Sequence, residues 1–114
     1  MKENIYVVRI NIGLQTKFEF EGALLSIDEQ HNKFTFSECD ENYTPVKDGD
    51  VIVLDFERMS VAFNSHNFSM AMKILGHKKI GDNYSFKCAT DLCRVDVYIC
   101  EKYIWEKEGI NLFA

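Results

Sequence analysis

No apolar run in this chain approaches the roughly 20 residues that a membrane-spanning helix needs, and no stripe of Lys and Arg stands out. The N-terminus, Met1-Lys2-Glu3-Asn4, runs straight into Ile5-Tyr6-Val7-Val8-Arg9 without the apolar core and small-residue cleavage site of a secretory signal. A cytoplasmic protein is therefore expected, with its four cysteines, Cys39, Cys88, Cys93 and Cys100, as reduced thiols and not disulfides. A formal charge of -5 disfavours a nucleic-acid backbone, which rewards counterion release onto a basic surface. It is compatible with a basic protein partner or with plain solubility.

Patterns that carry chemistry are also missing. Structural zinc asks for tight pairs such as C-x2-C, whereas Cys88, Cys93 and Cys100 are spread more widely and His77 stands apart, so no metal is expected. A cysteine nucleophile needs a histidine base and an orienting group, but His31, His66 and His77 fall in expected turns with no recognised motif around any cysteine. The segment Gly76 to Gly81 encloses His77-Lys78-Lys79-Ile80, lacks the G-x-x-x-x-G-K-S/T pattern, and reads as a solvated turn. No catalytic residue and no cofactor site is expected.

What is present is a 114-residue chain, 46% hydrophobic and 27% charged, which is enough for one core and too short for two. A single domain over 1–114 is expected. Ile5 to Ile12 is rich in β-branched residues and closes on Gly13, a first strand. Lys17-Phe18-Glu19-Phe20-Glu21 alternates aromatics with charges, and Gly22 interrupts it with a bulge or a close backbone approach before Ala23-Leu24-Leu25-Ser26-Ile27. After the polar turn at residues 28–32, Lys33 to Glu38 alternates again, predicting a hairpin. Pro45 and Asp48-Gly49 mark a turn before Val51 to Phe56. Val61-Ala62-Phe63, Asn67 to Ile74 and Tyr84 to Cys88 complete six or seven short strands, the pattern of a small barrel or sandwich, with Gly76 to Asn83 as a turn region.

The character changes at Thr90. Thr90-Asp91 offers an N-cap and Gly109 a C-terminal stop, which predicts a helix over about 91–108 with Leu92, Cys93, Ile99, Cys100, Tyr103 and Ile104 on its apolar face. Val95-Asp96-Val97 also alternates as a strand would. Tyr98 and Trp105 fall close together on that helix, away from the apolar stripe, and form the candidate partner surface. The competing reading is that a strand or the tail Ile110-Asn111-Leu112-Phe113 folds back over them.

Taken in order, Gly22-Ala23-Leu24-Leu25, the segment Val46 to Phe56, the strand Met70 to Ile74, and Tyr84-Ser85-Phe86 followed by a helix with Lys102-Tyr103-Ile104 resemble a PilZ domain from about Lys17 to Glu108. The resemblance implies a mainly β fold, a small six-stranded antiparallel barrel with a C-terminal α-helix. The family's cyclic di-GMP site uses an R-x-x-x-R arm and a D/N-x-S-x-x-G motif. With Gly22 as the motif glycine, Lys17 and Glu19 stand where the acid or amide and the serine belong, and Arg9 has no arginine partner four residues away. The chain thus resembles the degenerate members that bind proteins in place of the nucleotide.

The expected function is a non-catalytic protein-interaction or regulatory adaptor in a bacterial cytoplasm. Its partner is expected to be a protein, not nucleic acid or a membrane, with a homo-oligomer as one form of that contact. A cyclic di-GMP receptor with a non-standard site, and a small acidic inhibitor or immunity-type protein masking a basic partner, are the alternatives; an enzyme ranks behind both.

Overall fold

The computed structural model describes residues 5–39, 51–56, 60–63, 66–69 and 73–114, with the side chains of 16–18, 60–63 and 66–69 outside that description. Among the described residues the strands are β1 Ile5–Ile12, β2 Gln15–Asp28, β3 Lys33–Glu38, β4 Ile52–Asp55, β5 Ser60–Phe63, β6 His66–Ser69, β7 Lys73–Ile80, β8 Asn83–Ala89 and β9 Arg94–Glu101. Helix α1, Lys102–Glu108, and a 3-10 turn, Gly109–Phe113, close the chain. The strands form one sheet in the order β6-β5-β4-β3-β2-β1-β9-β8-β7, every pairing antiparallel. The protein is mainly β, as its alternating sequence predicts.

Alternation decides which face each strand buries. Tyr6, Val8 and Ile10 of β1, Phe34 and Phe36 of β3, Ile52 and Leu54 of β4, Phe86 and Cys88 of β8, and Val95, Val97 and Ile99 of β9 all join one buried cluster. The sheet must roll to bring them together. β3 and β8 lie four places apart in the strand order, about 19 Å in a flat sheet, yet the Phe34 ring centroid is 4.9 Å from that of Tyr84 and 5.7 Å from that of Phe86. The chain imposes the same curvature at the sheet's ends. Four residue steps lead from Ser69 at the end of β6 to Lys73 at the start of β7, a reach of at most about 14 Å, where a flat sheet would set these end strands roughly 38 Å apart. Among the described residues no ladder joins β6 to β7, so the sheet is rolled and not closed.

Two extra residues help bend it. In β2 the register with β3 shifts between Leu24 and Ser26, leaving Leu25 over, and in β7 the register with β8 shifts between Ile74 and Gly76, leaving Leu75 over. Both leucines are exposed. Gly22 marks a close approach: a Cβ there would lie 2.9 Å from the Ser37 carbonyl oxygen and 3.1 Å from Phe36 Cβ. Only glycine lets β2 and β3 meet at that point.

Three sequence expectations are corrected. The helix expected over 91–108 begins at Lys102, because Val95, Val97 and Ile99 extend into β9, whose two edges are filled by β1 and β8. Thr90 does not cap a helix; its hydroxyl oxygen accepts from the Leu92 and Cys93 amides and makes a tight turn into the strand. Leu92 is consequently exposed, Cys93 sits in the turn and Cys100 is buried in β9. The expected turn over Gly76 to Asn83 is mostly β7, with the reversal confined to Gly81-Asp82, where Gly81 has φ 59°. The described strands are also more numerous than the six or seven expected. The stop at Gly109 is observed, with φ 56° and its amide bonded to the Trp105 carbonyl. The expected turn at Pro45 and Asp48-Gly49 and the strand residues Met70 to Met72 lie outside the described residues.

Candidate functional site

Helix α1 lies on the outer face of the sheet, opposite the core, against β1 and β9. Its side chains are at most half-buried, and Ile104 and Trp105 rest on a sheet face whose outward Val7 and Cys100 are buried. Tyr98 reaches the same place from β9, whose outward residues flank Arg9 of β1 and Ser85 of β8. The Tyr98 and Trp105 rings are neighbours, with centroids 6.1 Å apart and planes tilted by 40°. They meet across a strand-to-helix junction instead of along one helix.

Arg9 organises this cluster. Its guanidinium carbon stands 5.0 Å from the centroid of the Trp105 ring, and its Nε donates to Glu19 Oε1 at 3.0 Å. The ring face and the carboxylate together fix the cation, which is thereby neutralised on one side and stacked on the other. On the other flank, Lys102 Nζ bonds Glu21 at 3.0 Å and approaches Glu106 at 3.8 Å. Between the two pairs runs a groove of about 520 Å³ lined by Arg9, Glu19, Glu21, Glu38, Cys39, Lys102, Trp105 and Glu106, among others. That volume is in the range of a small-ligand cleft, roughly 300–1,000 Å³.

The charge balance in the groove decides what it accepts. Four carboxylates (Glu19, Glu21, Glu38, Glu106) face two cations (Arg9, Lys102), and both cations already hold a carboxylate. A phosphate would meet net repulsion there. Glu19 occupies its ion pair with Arg9, so Arg9 is not free to clamp an anion. Gly22 itself serves the β2–β3 contact, and the Lys17 side chain lies outside the described side chains.

The tail does fold back, over one ring. Phe113 is buried with its centroid 5.6 Å from that of Tyr98, and Lys78 Nζ of β7 donates to the Phe113 carbonyl at 3.0 Å. Burial, and behind it the carboxylate of Asp96, pushes the Tyr98 hydroxyl above its ordinary value against the pull of Arg94 and Arg9. Trp105 remains half-buried at the groove wall.

The remaining candidates are placed as follows. Among the described residues no three His, Cys, Asp or Glu side chains converge on a point that could hold a metal ion. Burial pushes the thiols of Cys88 and Cys100 up to about 11, so both stay protonated near neutrality. His31 pairs with Asp28 at 2.8 Å in the β2–β3 turn, His77 stacks on Phe86, and the His66 side chain lies outside the described ones. Sequence reasoning missed Glu29, whose Oε1 accepts from Tyr84 Oη and Lys79 Nζ, both at 2.6 Å, tying the β2–β3 turn to β7 and β8. A polar turn residue gives no sign of such a distant pairing. Comparison with protein-family models, with curated proteins and with solved structures finds no match to this chain.

Proposed function

We propose that the chain is a non-catalytic adaptor of PilZ-like type, its rolled sheet standing for a six-stranded barrel, and that it binds a protein partner in a bacterial cytoplasm. The observation that carries the reading is the Trp105 ring, half-buried beside Tyr98 with Arg9 over its face at 5.0 Å. An aromatic anchor already rigidified by neighbours loses little entropy on contact, the property of interface hot spots. The excess of carboxylates in the groove supports a second reading, an acidic inhibitor masking a basic partner. The same excess disfavours a cyclic dinucleotide.

The test is co-purification from the source cell with the native chain and the Trp105→Ala variant. A protein retained by the first and lost by the second, by about 2 kcal/mol or more of binding, supports the adaptor reading. Equal retention by both would remove Trp105 from it. Salt separates the two readings, since masking a basic partner weakens steeply as salt rises.

A further inference from the structure

Among the described residues β7 is an end strand of the sheet. Among the described residues β7 pairs with β8 alone, so one side of an eight-residue strand carries amides and carbonyls with no ladder partner. Native edges are commonly guarded by lysines and bulges, and β7 has both, the bulge at Leu75 and the sequence KILGHKKI. Its polar residues are three lysines and a histidine with no carboxylate in the strand itself, on a chain whose formal charge is -5; Lys79 is paired with Glu29 at 2.6 Å and Lys78 donates to the Phe113 carbonyl. The register sorts these by face: Lys73 and Lys78 pair with Ala89 and Ser85 on the outer face, while Ile74 packs against the core and His77 and Lys79 lie over Phe86 and Tyr84.

We propose that β7 is a strand-addition site for an acidic, extended peptide segment of a partner protein, alternating carboxylates with apolar residues. Backbone bonds to the open edge supply the register. Carboxylates on the outer face meet Lys73 first and then Lys78, whose ammonium also bonds the Phe113 carbonyl, and apolar residues on the inner face extend the core beyond Ile74. The lysines that repel a basic strand thereby favour an acidic one. A second copy of β7 brings lysines against lysines and is the poorer occupant. The β7 edge lies outside the groove walled by Trp105, touching the aromatic cluster only through the Lys78 bond to the Phe113 carbonyl, and the proposal stands whether or not that groove binds a partner.

The probe is the peptide acetyl-Glu-Val-Glu-Val-Glu-Val-amide, titrated into the isotope-labelled full chain and followed by amide shifts and hydrogen exchange. In the free protein the outward amides of β7 should exchange fast and the amides facing β8 slowly. Peptide should shift resonances of β7, slow those outward amides, and bind about tenfold or more weakly at high salt and to the Lys73→Glu variant. Lys73 is exposed, so that variant should keep its melting temperature; Lys78 is left unchanged because it also holds the Phe113 carbonyl. Outward amides already protected in the free monomer would show that the chain covers its own edge, and would overturn the proposal. Shifts mapping elsewhere, absence of binding, indifference to charge reversal, or a concentration-dependent dimer through β7 would each overturn it as well.

Discussion

Asn83 holds the start of helix α1 in place: its Oδ1 accepts the Glu101 amide at 2.7 Å while its Nδ2 donates to the Ile80 carbonyl at 3.1 Å. One buried amide thus joins the β7–β8 reversal to the junction of β9 and α1. Asn83→Leu, close in volume, strands both backbone groups and should cost about 1–3 kcal/mol in denaturant unfolding. Asn83→Asp, which keeps the acceptor for Glu101 and loses the donor, should show which bond matters more.

Gly22→Ala should destabilise by about 1–3 kcal/mol, because the added methyl meets a backbone oxygen that cannot move without the β2–β3 ladder. Gly76→Ala is the control. It has open space around its would-be Cβ and should be nearly silent in the same unfolding experiment.

Cys88 and Cys100 should resist thiol reagents in the native chain and react after unfolding, whereas the half-buried Cys93 should label first. Their folded values of about 11 lie above the ordinary 9.0, so folding favours the neutral thiol. That contribution is complete below pH 9.0 and disappears as pH climbs toward about 11. Melting temperature should therefore fall across that window. Tyr84 and Tyr98, also raised by burial, steepen the fall, and Cys100→Ala should make it shallower.

Glu29 responds in the opposite pH range. The hydrogen bond from Lys79, then that from Tyr84, lowers its carboxyl below the ordinary 4.5, so its contribution is present above that value and is lost as acid protonates it. Thermal melts should decline below pH 4.5, and Glu29→Gln should flatten the first part of the decline. Asp28, lowered chiefly by its hydrogen bond with His31, acts in the same direction.

Where neighbours in sequence are neighbours in the sheet, the sequence was sufficient. Ile5 to Ile12 and Lys33 to Glu38 are strands to the residue, and the polar cluster after Ile27 is the hairpin turn. Residues 91–101 misled because Thr90-Asp91 is a sound local helix signal, while the opposing alternation at Val95 and Val97 gains its weight only from ladders to β1 and β8. β7 misled for a related reason: the lysines that guard an edge strand give it the composition of a turn. The nearness of Tyr98 to Trp105 followed from helical spacing, yet the structure brings the rings together through a strand. Arg9 and Glu19, ten residues apart, became a pair only through the β1–β2 hairpin.

The pairing of β1 with β9 sets the timetable of folding. Tyr6 lies opposite Glu101, so the centre of the sheet closes only when nearly the whole chain exists. During synthesis β1 can find β2 at once, but its other edge waits for β9. Contacts of such long sequence separation carry a large loop-closure cost before they return any stability. The chain should accordingly fold slowly for its size, in milliseconds to seconds, and mutations in β9 should slow refolding more than mutations in β5 or β6.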